Sequence, residues 1–251
     1  MGIVQKTTIV VPCYNEAARL HTAKFAEFVA ANPDVHFLFV DDGSKDDTLR
    51  VLNDLAQTKP ESLQVLALEQ NSGKAEAVRR GVLRAFDDGA DAIGYWDADL
   101  ATPLEYIRAF VDVLAKGDAV LVFGSRVRLL GRRVERQATR HYIGRGFATL
   151  AGLALRLPIY DTQCGAKVFR ASNAMRALFE QPFELGWTFD VELFSRLLKL
   201  ARSTGTIDPV RQFVEFPLEE WRDAPGSKLR AAHFPRIALE LAKLFIIARR
   251  D

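Results

Sequence analysis

Short β-branched runs alternating with helix-length amphipathic segments constrain this chain more than any other feature. Residues 7–11 read as a buried strand and 16–31 as a helix stopped at Asn32-Pro33. Strand-like runs recur at 35–40, 63–68, 92–96 and 119–123, separated by helical patterns at 46–57, 74–86 and 103–115. Successive parallel strands need a crossover helix, so this alternation predicts an α/β fold with a largely parallel sheet covered on both faces. With 251 residues, 49% of them apolar, the chain can bury such a core within one large domain. Ligands of open α/β sheets bind beyond the carboxyl ends of the strands. Polar clusters stand at those ends.

The regular pattern breaks after Arg126. Residues 127–157 are arginine-rich, 162–169 resume a strand-like pattern, and 172–179 and 189–201 read as helices. A late strand is expected at 210–216 and a terminal amphipathic helix at 234–250. The expected division is a single domain over 1–205 with a C-terminal extension over 206–251. Cys13 and Cys164 have neither metal-ligand nor disulfide-framework spacing, which points to a reducing, cytoplasmic setting. The first residues lack an apolar signal core, and no uncharged apolar stretch is long enough to span a bilayer. Any membrane contact is therefore expected to be peripheral, at the inner face of the cell membrane.

Four clusters carry chemistry. Pro12-Cys13-Tyr14-Asn15-Glu16 follows the first strand, where backbone N–H groups and side chains meet a ligand edge. Asp41-Asp42-Gly43-Ser44 follows the second; its adjacent carboxylates repel each other unless a ligand or hydrogen bonds compensate. Asn71-Ser72-Gly73-Lys74 puts a glycine and a lysine at a helix N-terminus, which suits phosphate, without the spacing of a Walker A loop. Asp97-Ala98-Asp99 follows the fourth strand. Its two carboxylates, one residue apart, point to one side and suit Mg2+ or Mn2+ neutralising a diphosphate. Each cluster alone also fits an ordinary turn.

In order and spacing, the four clusters together resemble the family-2 glycosyltransferases of the GT-A (Rossmann-like) fold. The resemblance implies that Pro12, Tyr14, Glu16, Asp41 and Asp42 surround the nucleotide, with Lys74 beside it and Asp97 and Asp99 around ribose, metal and diphosphate. Gly124-Ser125-Arg126, residues 161–169, the run Trp187-Thr188-Phe189-Asp190-Val191-Glu192-Leu193, and Trp221 with Gly226-Ser227-Lys228-Leu229 resemble the dolichyl- and polyprenyl-phosphate hexosyltransferases. Asp99-Leu100-Ala101-Thr102-Pro103 leans toward their glucosyl members; mannosyl members often carry a glutamine ligand where Ala101 stands. The implied activity is inverting transfer of glucose from UDP-glucose to a polyprenyl or dolichyl phosphate. Asp190 and Asp99 are its expected catalytic carboxylates.

Arg126, Arg128, Arg132, Arg133, Arg136, Arg140 and Arg145 independently offer guanidinium forks for a lipid phosphate. Interleaved Leu129, Leu130, Val134, Tyr142, Ile143 and Phe147 offer apolar contacts for a membrane surface, although the segment also reads as a solvated basic helix pair. Arg126, Arg136, Gln163 and Lys228 are the candidates for the acceptor side. Nucleic acid is not an expected partner, because no binding motif accompanies the patch and the net charge is only +2. The terminal helix is expected to dock on the core, to lie in a membrane interface or to pair with a second copy in a homo-oligomer. Two rival functions stay open: the same donor chemistry on a glycan or lipid hydroxyl, and a non-catalytic nucleotide-binding protein.

Overall fold

A computed structural model describes residues 4–127, 129–135, 138–222, 239, 240, 242, 243, 245 and 247. The first half alternates as expected: β1 (Thr7–Cys13), α1 (Thr22–Ala31), β2 (Val35–Asp41), α2 (Thr48–Thr58), β3 (Leu63–Ala67), α3 (Lys74–Asp87), β4 (Ala92–Trp96), α4 (Tyr106–Lys116) and β5 (Leu121–Ser125). The second half contributes β6 (Arg133–Glu135), α5 (Ala138–Leu155), β7 (Ala166–Arg170), α6 (Asn173–Glu180), α7 (Phe189–Thr204), α8 (Pro209–Gln212), β8 (Phe213–Pro217) and β9 (Glu220–Arg222).

Seven strands form one sheet in the order β3-β2-β1-β4-β7-β5-β8, and β6 pairs with β9 in a small second ladder. All pairs in the large sheet are parallel except those of β7, which runs antiparallel to both β4 and β5. The chain builds outward from β1 through β2 to β3, then returns to place β4 on the other side of β1. This reversal makes a crevice at the carboxyl ends of β1 and β4, the place where such sheets take ligands.

Alternation along the strands divides the core in two. Val10, Val40, Tyr95 and Phe123 face a cluster that includes residues of α3, α5, α6 and α7. Ile9, Phe39, Trp96 and Val122 face a cluster shared with α1, α2 and α4. There Phe25 of α1 meets Phe37 and Phe39 edge-on, each with ring centroids 5.0 Å apart. Each such ring contributes about 1.5–3 kcal/mol by leaving water.

Several boundaries differ from the sequence expectation for identifiable reasons. The expected helix at 16–31 starts only at Thr22. Residues 16–20 form a separate turn, closed by Leu20 N–H on the Glu16 carbonyl (2.9 Å) and anchored by Glu16 and Ala17 N–H on the Thr48 hydroxyl. Thr22 N–H turns back to the Leu20 carbonyl (3.0 Å) instead of continuing the ladder. The expected strand at 162–169 shortens to β7, since Asp161 accepts the N–H of Gln163 and holds that loop out of the ladder. The late strand begins three residues later than expected, after a helical turn capped by Asp208.

The expected boundary at 205/206 falls just after α7, and the segment beyond it supplies β8, paired in parallel with β5 at the sheet edge. In the terminal segment, Leu239, Glu240, Ala242, Lys243, Phe245 and Ile247 are helical. Ile247 is buried in the same cluster as α7, and Glu240 accepts hydrogen bonds from the N–H of Thr188 (2.9 Å) and its hydroxyl (2.9 Å). At these positions the segment docks on the core. Among the described residues no helix is long and apolar enough to cross a membrane.

Candidate active site

The first two clusters are stitched together at the ends of β1 and β2. Asn15, at φ 50°, donates its N–H to the Ser44 hydroxyl and accepts the N–H of Lys45 through its side chain. A non-glycine residue in this left-handed region costs energy and persists where surrounding bonds enforce it. Pro12 lies opposite Val40 in the ladder, and Tyr14 follows β1, partly exposed. Glu16 is buried and paired with Arg19.

Asp41 and Asp42 have different fates. Asp42 accepts the N–H groups of Ser72 (2.7 Å) and Gly73 (2.8 Å), one on each carboxylate oxygen. It therefore ties the end of β2 to the start of α3. Burial pushes the Asp42 carboxyl above its ordinary range, against the pull of those two N–H groups. Asp41, 2% exposed, accepts Ser44 N–H on Oδ2, while its buried Oδ1 has no partner among the described residues. An orphaned buried acceptor is costly, so Asp41 is the member of the pair with an oxygen available to a ligand's donor group.

At the end of β4, Lys74 Nζ lies 2.5 Å from Asp97 Oδ1. Loss of water pulls the Lys74 ammonium down, but Asp97, Asp190 and Asp99 outweigh it and hold it above its ordinary range. Burial and the charge of Asp97 push the Asp99 carboxyl up. Arg19, in addition to its bond with Glu16, feels the charges of Asp99 and Asp97. Leu100, immediately after Asp99, adopts φ 52°. Gly165 faces the triplet from the loop before β7: its carbonyl accepts Asp97 N–H at 2.9 Å, and a Cβ on it would fall inside the Asp97 carboxylate.

Asp190 occupies the first turn of α7, 3% exposed. Its Oδ1 accepts Tyr95 Oη–H (2.5 Å) and a hydrogen bond from Lys167 Nζ (2.5 Å). Glu192, two residues on, is committed elsewhere, accepting Leu185 N–H (2.8 Å) and pairing with Arg196 (2.7 Å). Thus Lys74 links the Asp97–Asp99 pair to Asp190 electrostatically, while Asp42 ties the end of β2 to the start of α3.

On the candidate acceptor side, Arg126 is engaged by Asp161 through Nε (2.6 Å) and Nη2 (2.8 Å), and its guanidinium lies 5.3 Å from the centre of the Trp221 ring. The Asp161 charge raises its pKa against the effect of burial. Gln163 follows in the same loop, with Nε2 buried and without a partner among the described residues. Arg136 and Lys228 lie outside the described residues. Sequence reasoning missed Arg19, Tyr95, Asp161, Gly165 and Lys167. The motif strings containing Asp161, Gly165 and Lys167 were visible, but nothing along the chain says that β7 runs antiparallel beside β4 and delivers Gly165 to Asp97 and Lys167 to Asp190, or that Asp161 meets Arg126.

Comparison with known proteins bears on this geometry. The profile of glycosyl transferase family 2 matches residues 8–177, which span the clusters on β1, β2 and β4 and the loop that carries Gly165. The chain belongs to that family. Among curated relatives, a dolichyl-phosphate beta-glucosyltransferase of Trichomonas vaginalis is 32% identical over 256 residues, covering 97% of this chain and 72% of the relative. One of Dictyostelium discoideum is 30% identical (88% and 68% covered), and the human one 30% (90% and 70%). A crystal structure of glucosyl-3-phosphoglycerate synthase from Mycobacterium tuberculosis, in complex with Mn2+, UDP and glucosyl-3-phosphoglycerate, superposes with a TM-score of 0.65 at 18% identity. That match covers 97% of this chain and 80% of the other. The fold is that of the GT-A glycosyltransferases, and this family-2 member is a nucleotide-sugar-dependent glycosyltransferase of the dolichyl-phosphate glucosyltransferase branch.

Proposed function

We propose that the enzyme transfers glucose from UDP-glucose to the phosphate of a dolichyl or polyprenyl phosphate at a membrane surface, with Mg2+ or Mn2+ at Asp97 and Asp99. The observation that carries this reading is the meeting of Asp97, Asp99, Lys74 and Asp190 at the crevice between β1 and β4. The relatives' shared name supports glucose and the lipid phosphate.

The donor set fits a hard divalent ion. Asp99 is crowded by the charge of Asp97, and a cation relieves that repulsion. Among the described residues no group of three or more His, Cys, Asp or Glu side chains converges. Mg2+ commonly sits on one or two carboxylates with substrate phosphate and water completing its shell. Bound there, the ion would stabilise negative charge on the departing diphosphate. Lys74, a cation at the start of α3, supplements that charge stabilisation and orients the diphosphate. Asp41 accepts a donor group of the nucleotide through Oδ1, which has no partner among the described residues.

The acceptor phosphate is already anionic and needs little deprotonation, so Asp190 orients the sugar or the acceptor. Gln163 offers its Nε2–H, which has no partner among the described residues, to a phosphate oxygen. Arg136 and Lys228 add positive charge, and Arg126 braces the loop through Asp161. Exposed Leu129, Leu130, Leu150 and Leu153 support peripheral contact with lipid.

The test incubates purified enzyme with UDP-glucose, Mg2+ or Mn2+, and vesicles containing dolichyl phosphate. Glucosylated lipid is the expected product. Transfer from GDP-mannose alone would overturn the donor assignment, and transfer only to hydroxyl acceptors would overturn the phosphate.

A further inference from the structure

Lys167 is the one lysine among the largest fully buried side chains of the described residues, 0% exposed in the middle of a sheet. It stands directly opposite Tyr95 on one side and Phe123 on the other. Its ammonium donates to the Cys164 carbonyl (2.7 Å) and to Asp190 Oδ1 (2.5 Å), and lies 5.1 Å from the centre of the Tyr95 ring. The Tyr95 hydroxyl donates to that same oxygen at 2.5 Å. No hydrogen bond among the described residues falls on Asp190 Oδ2.

Packing does not call for a charge here. Replacing a buried ion pair by hydrophobic groups of similar volume is often neutral or stabilising, so the pair is weak evidence of a purely structural role. What the arrangement supplies is direction. Two donors from adjacent strands converge on one oxygen of a carboxylate carried by a helix, and this removes the freedom of the Asp190 side chain to rotate. Asp190 is also close enough to Lys74 for its charge to be felt there.

We propose that Lys167 and Tyr95 are positioning residues: together they hold Oδ1 of Asp190 and present Oδ2 to the sugar and acceptor. The proposal rests on the reading of Asp190 as a residue that contacts the reacting groups. It also gives the antiparallel course of β7 a function, since this strand sets Lys167 beside Tyr95 and below the first turn of α7.

Tyr95→Phe removes a single oxygen, and Lys167→Met removes the ammonium while keeping a long apolar side chain. Both are expected to lower kcat by about tenfold or more through misorientation, with KM for UDP-glucose within about twofold of wild type. UDP affinity by calorimetry is expected to stay at the wild-type value, and the thermal midpoint of Tyr95→Phe to fall by only a few degrees, as loss of one hydrogen bond to a carboxylate does. Wild-type kcat in both variants would overturn the proposal. So would an activity loss that merely follows lost folding or lost UDP affinity. Asp190→Asn separates the two levels: if that variant turns over like wild type, the reading of Asp190 fails and the positioning with it. If it is inactive while Tyr95→Phe and Lys167→Met are unaffected, only the positioning fails.

Discussion

Asp97 and Asp99 are separated by one residue, yet their surroundings differ. Asp97 pairs with Lys74 and packs its carboxylate over Gly165, whereas Asp99 accepts the N–H of Ala101 at 3.1 Å and is pushed up by burial and by its neighbour. Asp99→Ala is expected to lower metal-dependent turnover by about a hundredfold or more, measured as lipid-linked glucose formed per unit time. Gly165→Ala is a test made without any reaction. Its new methyl must displace the Asp97 carboxylate, so Mn2+ binding followed by electron paramagnetic resonance is expected to weaken about tenfold or more. Unchanged Mn2+ affinity would remove Asp97 from the ligand set. At this scale the sequence displays the acidic triplet, since a strand end followed by two carboxylates is a local pattern. The need for glycine at 165 is not local, because its cause lies 68 positions away, the difference between residues 165 and 97.

Elements are held in place largely by side chains that reach backbone groups of other elements. Arg79 of α3 donates to the carbonyls of Phe179 (3.0 Å) and Glu180 (3.1 Å), joining α3 to the end of α6, and Glu76 steadies it with bonds at 2.6 and 2.8 Å. Hydrogen bonds from Arg79, together with Arg80, hold the Glu76 carboxyl below its ordinary value of 4.5. A group whose folded value is depressed contributes stability that is present above its unfolded value and lost as pH falls through the folded one. Glu76→Gln is therefore expected to flatten the decline of unfolding free energy below pH 4.5. Near neutrality its cost is about 1 kcal/mol or less, since the ion pairs are partly solvated. Urea titrations over a pH series check both. The helices of the first half were legible from their periodicity. The break before α1 was not, because the turn at 16–20 that precedes it is anchored by the Thr48 hydroxyl, outside the segment.

For the molecule as a whole, the two halves of the chain contribute differently. The β1–β4 half carries the four clusters, and the β5–β9 half brings the antiparallel strand, the arginine-rich segment and the exposed leucines. Leu130, at 104% relative exposure, sits in the turn before β6, and Leu153, at 65%, lies on α5. If these side chains enter lipid, Leu130→Glu and Leu153→Glu are each expected to weaken binding to vesicles about tenfold, as cosedimentation measures. UDP binding should not change, since neither residue belongs to the nucleotide clusters. Equal vesicle binding by both variants would rule out this surface. The sequence by itself determined the alternating architecture, the strand-end location of Asp41, Asp97 and Asp99, the place of Lys74 at a helix start, and the family. Each of these is written in periodicity and short-range spacing, which survive in a one-dimensional string. Only the tertiary structure decided that Asp42 serves the backbone of α3 while Asp41 keeps an oxygen without a partner among the described residues, and that Arg126 is bound to Asp161. It alone gathered Tyr95, Lys167 and Asp190 around one oxygen, because strand direction and helix docking fix which distant residues share a few ångströms.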